Sequence, residues 1–142
     1  MDQEKRMRFL AIDDDDINNY ICEQLINHTG NAKSFTSCNS GVHALDYLDS
    51  CNSNKPEELP DIILLDINLP IMNGWQFLDA YQEELGNLKK DIKIYMLTSA
   101  VYGENFEKAK QHPRVSGFIM KPLSCEKLKE LTGKENKNLS YY

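Results

Sequence analysis

Four apolar runs in this chain stop on residues that can do chemistry. Phe9-Leu10-Ala11-Ile12 runs into Asp13-Asp14-Asp15-Asp16, Ile62-Ile63-Leu64-Leu65 ends on Asp66, Ile94-Tyr95-Met96-Leu97 ends on Thr98, and Gly117-Phe118-Ile119-Met120 ends on Lys121-Pro122. Carboxylates, a hydroxyl and an ammonium are the groups that bind a divalent cation and phosphoryl oxygens. If the runs are parallel strands, their carboxyl ends share one edge, where such sheets carry their sites. Carboxylates gathered there repel each other unless a cation joins them. Mg²⁺ suits the set, with its hard oxygen ligands and retained waters. Asp14 and Asp66 would supply carboxylate oxygens, Asn68 a backbone carbonyl, and Asp13 would hold a metal-bound water. Helix capping accounts for one or two of the acids at 13–16. It does not account for Asp66 at the end of an unbroken apolar run.

Asp66 is the candidate nucleophile, with a role as metal ligand alone as the alternative. A carboxylate is ionised at neutral pH, its unperturbed pKa being about 3.9. It attacks phosphorus without a general base and forms an aspartyl phosphate. The remaining work is positioning and charge neutralisation. Thr98 would stand one strand from Asp66, about 4.8 Å, and Lys121 two strands away, about 9–10 Å, a gap that only a long side chain spans. Singly, Thr98 reads as a β-favouring strand residue and Lys121 as a solvated charge; their joint placement is what points to a site. Whether the Lys121–Pro122 bond is cis is open at this level.

The elements that must position these groups alternate. A strand over Met7–Ile12 precedes a helix with Ile17, Ile21 and Leu25 as its stripe, stopped after Thr29 by Gly30-Asn31. A short strand at Ala32–Thr36 and a helix at Ser40–Ser50, marked by Val42, Leu45 and Leu48, follow. Residues 51–60, with two prolines, predict a polar loop. The strand at Asp61–Asp66 is apolar throughout, as for a strand buried on both faces. Asn68–Gly74 predicts a turn, followed by a helix at Trp75–Leu85, a strand at Lys93–Thr98, a helix at Glu104–Gln111, a strand at Gly117–Met120 and a last helix from Ser124. The tail from Gly133 has no apolar stripe and is expected to be loose. This alternation predicts an α/β doubly wound, five-stranded parallel sheet of order 2-1-3-4-5 (flavodoxin-like), with helices on both faces. One domain is expected over 6–131, with a polar tail over 132–142.

The chain has 142 residues, 41% hydrophobic and 27% charged, with a formal charge of −6, which fits one soluble domain. The acidic balance argues against direct DNA binding. No apolar run reaches the roughly 18 residues of a membrane span, and no signal peptide is visible. A cytoplasmic protein is expected. Cys22, Cys38, Cys51 and Cys125 form no C-x-x-C pair. They predict free thiols rather than zinc ligands or disulfides, with Cys51 in the 51–60 loop.

Taken together, the stretches at Phe9–Asp16, Ile63–Gly74, Met96–Ala100 and Gly117–Pro122 resemble the receiver domain of two-component response regulators, of the stand-alone type. The resemblance covers about residues 6–131. It implies that Asp66 is the phosphoacceptor, taking a phosphoryl group from a phosphohistidine. It also implies that Asp13 and Asp14 are the acidic pair holding Mg²⁺, that Thr98 is the hydroxyl that moves to meet the phosphoryl group, and that Lys121 is its cationic partner. Phe118 matches the aromatic switch, where many members have tyrosine; an inward rotation and a plain core role both remain open. The partners implied are a sensor histidine kinase or histidine phosphotransfer protein and a downstream protein contacted through the surface around 101–131. No output enzyme domain is expected, so the chain would be no enzyme beyond its own phosphorylation and dephosphorylation. Three rival readings are a flavodoxin-like cofactor binder, a haloacid-dehalogenase-like phosphohydrolase and a docking module that keeps the motifs. The first would set phosphate against Asp13–Asp16, and the second would require an aspartate where Asn68 stands.

Overall fold

The computed structural model describes residues 6–88, 90–98, 107–108, 111–133 and 140–141. Its strands are β1 (Met7–Ile12), β2 (Ala32–Cys38), β3 (Ile62–Asp66), β4 (Lys93–Thr98), β5 (Val115–Met120) and β6 (Ser140–Tyr141). Its helices are α1 (Asp16–Thr29), α2 (Gly41–Asn54), α3 (Gly74–Leu85) and α4 (Cys125–Gly133), with a 3₁₀ turn at Pro56–Glu58. The sheet is parallel, in the order β2-β1-β3-β4-β5-β6. The doubly wound order expected for the first five strands is therefore present.

β3 explains why the sheet is covered on both sides. Ile63 and Leu65 join Leu10, Ile12, Ile94 and Met96 in a core closed by α2 and α3. Ile62 and Leu64 turn to the opposite face, where Phe9, Ala11, Tyr95 and Leu97 meet Cys22 and Ile26 of α1 and Leu128 and Leu131 of α4. Side chains alternate across a strand, so an all-apolar strand is stable only with a helical layer on each face.

Three expectations need correction. On α1 the buried residues are Asn19, Cys22 and Ile26, while Ile17 and Ile21 are exposed. The helix is real, but only part of the expected stripe packs: Leu25 lies partly buried against the core, and Asn19, Cys22 and Ile26 complete the packed face. Likewise, Val42 on α2 is exposed. α2 also continues through Asn54, so the polar loop is shorter than expected and Cys51 lies on the helix, half-buried against the core. Local composition there is polar because that last turn faces outward, not because it is irregular. Finally, the tail is not loose throughout. Ser140–Tyr141 pairs in parallel with Gly117–Phe118 as a sixth strand, satisfying backbone groups that an edge strand leaves open. The helix expected at Glu104–Gln111 lies largely outside the described residues; Glu107, Lys108 and Gln111 are helical. All four cysteines are free thiols. Burial pushes the Cys22 thiol up to about 12 and that of Cys38 to about 11.

Candidate functional site

The carboxyl ends of β1, β3, β4 and β5 bring the predicted groups to one rim. Asp15 is the N-cap of α1, its carboxylate accepting from the Ile17 and Asn18 N–H groups. Capping uses that acid and leaves Asp13 and Asp14 to face the rim. Asp13, Asp14 and Asp66 each place a carboxylate oxygen within 4.8 Å of the others. Asp13 and Asp66 are buried and Asp14 is exposed. Lys121 Nζ lies 3.6 Å from Asp66 Oδ2 and 3.9 Å from Asp13 Oδ2. These distances exceed hydrogen-bond length, so the ammonium neutralises the pair by charge while staying free to move closer to another acceptor.

The backbone fixes the frame. Asp13 Oδ1 accepts the Asp15 N–H at 3.0 Å, and the Asn19 side-chain amide donates to the Asp13 carbonyl at 2.8 Å. Asp66 Oδ1 accepts the Asn68 N–H at 3.2 Å. Thr98 is buried at the end of β4, and its carbonyl accepts the Lys121 N–H at 2.8 Å. The hydroxyl and the ammonium are thereby tied to one register. The Lys121–Pro122 bond is cis. Phe118 is buried in the core on the face covered by α2 and α3.

Two supporting residues escaped the sequence reading. Asn19 was lost among the polar residues of α1, although it stands three positions before Cys22 on the packed face. Gly74 sits where a Cβ would come within 2.9 Å of the Asp66 carbonyl and of Ile67 Cα, and its N–H donates to the Ile67 carbonyl at 2.8 Å. Between them the loop turns sharply. The Met72 N–H donates to the Pro70 carbonyl at 2.6 Å, with Ile71 at φ +66° and fully exposed. A β-branched residue in that region is a marked departure from ordinary backbone.

Burial, more than any neighbour, raises the Asp13 carboxyl above its ordinary 3.8; Asp66 and Asp14 raise it further, while the Asp15 N–H and Lys121 oppose this. The donor set is oxygen throughout and carries more negative charge than one ammonium balances. Both features fit a hard divalent cation such as Mg²⁺.

A family model for the response regulator receiver domain matches residues 9–132. The chain belongs to that family. The receiver is 32% identical over 124 residues to the transcriptional regulatory protein CitT of Halalkalibacterium halodurans, covering 87% of this chain and 50% of CitT. It spans about half the length of CitT and smaller shares of the plant regulators it matches. A two component response regulator from Cytophaga hutchinsonii superposes with a TM-score of 0.82 at 29% identity, covering 90% of this chain and 96% of that one. The receiver domain of sensor histidine kinase PA1611 from Pseudomonas aeruginosa, solved with magnesium coordinated in its active site cleft, shares the fold at TM-score 0.70 and 18% identity, covering 89% and 94%. Membership selects the receiver reading over the cofactor binder and the phosphohydrolase.

Proposed function

We propose that this receiver is the phosphoacceptor of a two-component or phosphorelay system, with Asp66 taking a phosphoryl group from the phosphohistidine of a sensor kinase or phosphotransfer protein. One observation carries the reading. A buried carboxylate on the central strand faces two further carboxylates, within 4.8 Å, and a lysine ammonium at 3.6 Å. An Asp66 oxygen bonds to phosphorus as the P–N bond breaks, and its electron pair returns to the ring nitrogen of the donor. Lys121 meets the charge arriving on the phosphoryl oxygens. Thr98 offers its hydroxyl from the neighbouring strand, and the Asn68 N–H orients the nucleophile. Mg²⁺, held by Asp13, Asp14, Asp66 and the Asn68 carbonyl, would neutralise the phosphoryl oxygens and carboxylates together; the magnesium in the PA1611 receiver supports this choice. The reaction is on the protein's own side chain, so it is a signalling event and not turnover of a separate substrate.

The output would be a population shift. A phosphoryl group adds about −1.5 to −2 charges, which Thr98 and Lys121 answer in one arrangement of the nearby loops only. The surface so coupled is residues 101–131, much of 101–111 lying outside the described residues. Phe118 is already buried, so as a switch residue it would move outward in the alternative state. A cytoplasmic location and recognition of a protein partner, not DNA or membrane, complete the proposal. Among the described residues no helix is long and apolar enough to cross a membrane.

A phosphotransfer profile against the histidine kinases of the source organism tests the reading. Rapid, selective labelling by one donor is expected, and no labelling by any donor would refute it. Thr98→Ala should still accept the phosphoryl group but lose the distant response. Phosphorylation-induced NMR shifts near Glu104 identical to those of wild type would count against the role of the hydroxyl.

Mg²⁺ binding should be pH-dependent above the ordinary carboxylate range. Asp13 keeps its proton to higher pH when folded than when unfolded. Its contribution to stability is therefore full below 3.8 and is lost as pH rises through the raised folded value. Metal binding has the opposite sign, because it requires the carboxylate and expels the proton. Calorimetric titrations should show Mg²⁺ affinity falling on acidification while a free carboxylate would still be ionised. An affinity flat down to pH about 4 would contradict this.

A further inference from the structure

β5 closes the five-stranded core, and its outer edge would offer unpaired N–H and C=O groups, the template on which another chain adds a strand. Here that edge is taken by the protein itself. Ser140 stands in parallel register with Gly117 and Tyr141 with Phe118. The pairing begins just after an irregularity on the other side of β5. Ile94 aligns with Val115 but Tyr95 with Gly117, leaving Ser116 unopposed. An extra residue of this kind bends a strand and re-aims the residues beyond the bend. Gly117 and Phe118 are therefore flanked by β4 and β6 at once, immediately beyond it. Three residues further on, Lys121 sets its ammonium 3.6 Å from Asp66 and its N–H on the Thr98 carbonyl at 2.8 Å. One strand carries both the cation of the acidic site and the seat of the tail.

We propose that Ser140–Tyr141 is a cis-acting strand whose seating on β5 opposes occupancy of the acidic site: it covers the edge while Asp66 is bare and leaves it when Asp66 is phosphorylated. The edge so freed suits an extended segment of a partner protein, which binds by main-chain hydrogen bonds. This coupling rests on the phosphoacceptor reading of Asp66. A phosphoryl group draws the Lys121 ammonium, and the end of β5 with it, toward β3. The β4–β5 ladder runs over Ile94–Thr98 and follows the strand. The ladder to β6 pairs two residues among those described, and the shorter ladder breaks first.

The experiment compares backbone hydrogen exchange by NMR in the full chain, in a chain ending at Gly133, and in Ser140→Pro and Tyr141→Pro. Successive N–H groups of a strand point to opposite neighbours, so one of Gly117 and Phe118 faces β6 and the other is its internal control. Removing the tail should quicken exchange of the edge amide by about tenfold or more, leaving its neighbour unchanged. One of the two proline variants should do the same, since only one removes an N–H directed at β5. Equal exchange in the full and shortened chains would overturn the seated strand. Mg²⁺ with beryllofluoride, a phosphoryl mimic, should quicken the same amide in the full chain by about fivefold or more. By reciprocity the shortened chain should bind beryllofluoride tighter by the same factor. If beryllofluoride shifts the Asn68 amide but leaves the edge amide and its own affinity unaltered, the coupling is wrong. If it does not perturb Asn68, the reading of Asp66 fails and the coupling with it, while the shortened chain still decides whether the strand is seated.

Discussion

Asp66→Ala should take up no measurable phosphoryl group from a small acyl phosphate or phosphoramidate, a loss of roughly 10⁴-fold or more, as expected when a nucleophile is removed. Alanine leaves neither an attacking oxygen nor the ligand that completes the carboxylate triad. The fold should survive, because the substitution removes one of three acids held within 4.8 Å of each other, and like charges at that distance cost stability. Thermal stability without Mg²⁺ should therefore hold or rise while labelling disappears. That pairing separates loss of chemistry from loss of structure. Intact-mass measurement reads the first and a melting curve the second. Retained labelling would move the nucleophile to Asp13 or Asp14. Chelating Mg²⁺ from the wild-type protein should also abolish labelling, but reversibly.

Gly74→Ala should be the most damaging single-methyl change near the site. The new Cβ would lie 2.9 Å from the Asp66 carbonyl oxygen and 2.9 Å from Ile67 Cα. Both are backbone atoms at the turn that aims Asp66, so no side-chain rotation relieves the contact. Overpacking of this kind costs about 1–3 kcal/mol, a fall in Tm of roughly 3–12 °C at this size. Phosphorylation should slow as well, because relief of the contact displaces Asp66. Gly41→Ala is the matched control. Its Cβ would meet the Met72 Sδ at 2.7 Å, the far part of a flexible side chain that can swing aside, so its cost should be well under that of Gly74→Ala. Equal melting points for the two variants would contradict the argument.

The gathering of these groups at one rim was legible because chemistry and sheet geometry coincide in the sequence. Each of Asp13, Asp66, Thr98 and Lys121 follows an apolar run directly, and a parallel sheet puts the ends of such runs on one rim. β3 was legible for the same reason: Ile62–Leu65 alternates nothing, and only a doubly covered strand tolerates that. α1 was harder. Its buried residues are Asn19, Cys22 and Ile26; of the expected stripe Leu25 packs while Ile17 and Ile21 are exposed, so the stripe identified the helix and located only part of its packed face. The end of α2 was hidden by its polar last turn, where Cys51 packs inward and its neighbours do not. β6 was out of reach because a two-residue strand has no periodicity; it exists through its register with β5. Gly74 looked like ordinary turn chemistry, and its closeness to the Asp66 carbonyl is a tertiary fact.

The burial of β3 between β1 and β4, with a helical layer over each face, bears on how the parts of the proposed site would divide their labour. Asp66 is bolted to a beam braced on both faces and along both edges. Thr98 and Lys121 arrive on members that stand progressively further from that centre. On the proposed function, when charge lands the anvil would stay still and the jaws would close on it. A signal started at the middle of the sheet would in this way be spent as displacement at its flank, where another macromolecule could feel it.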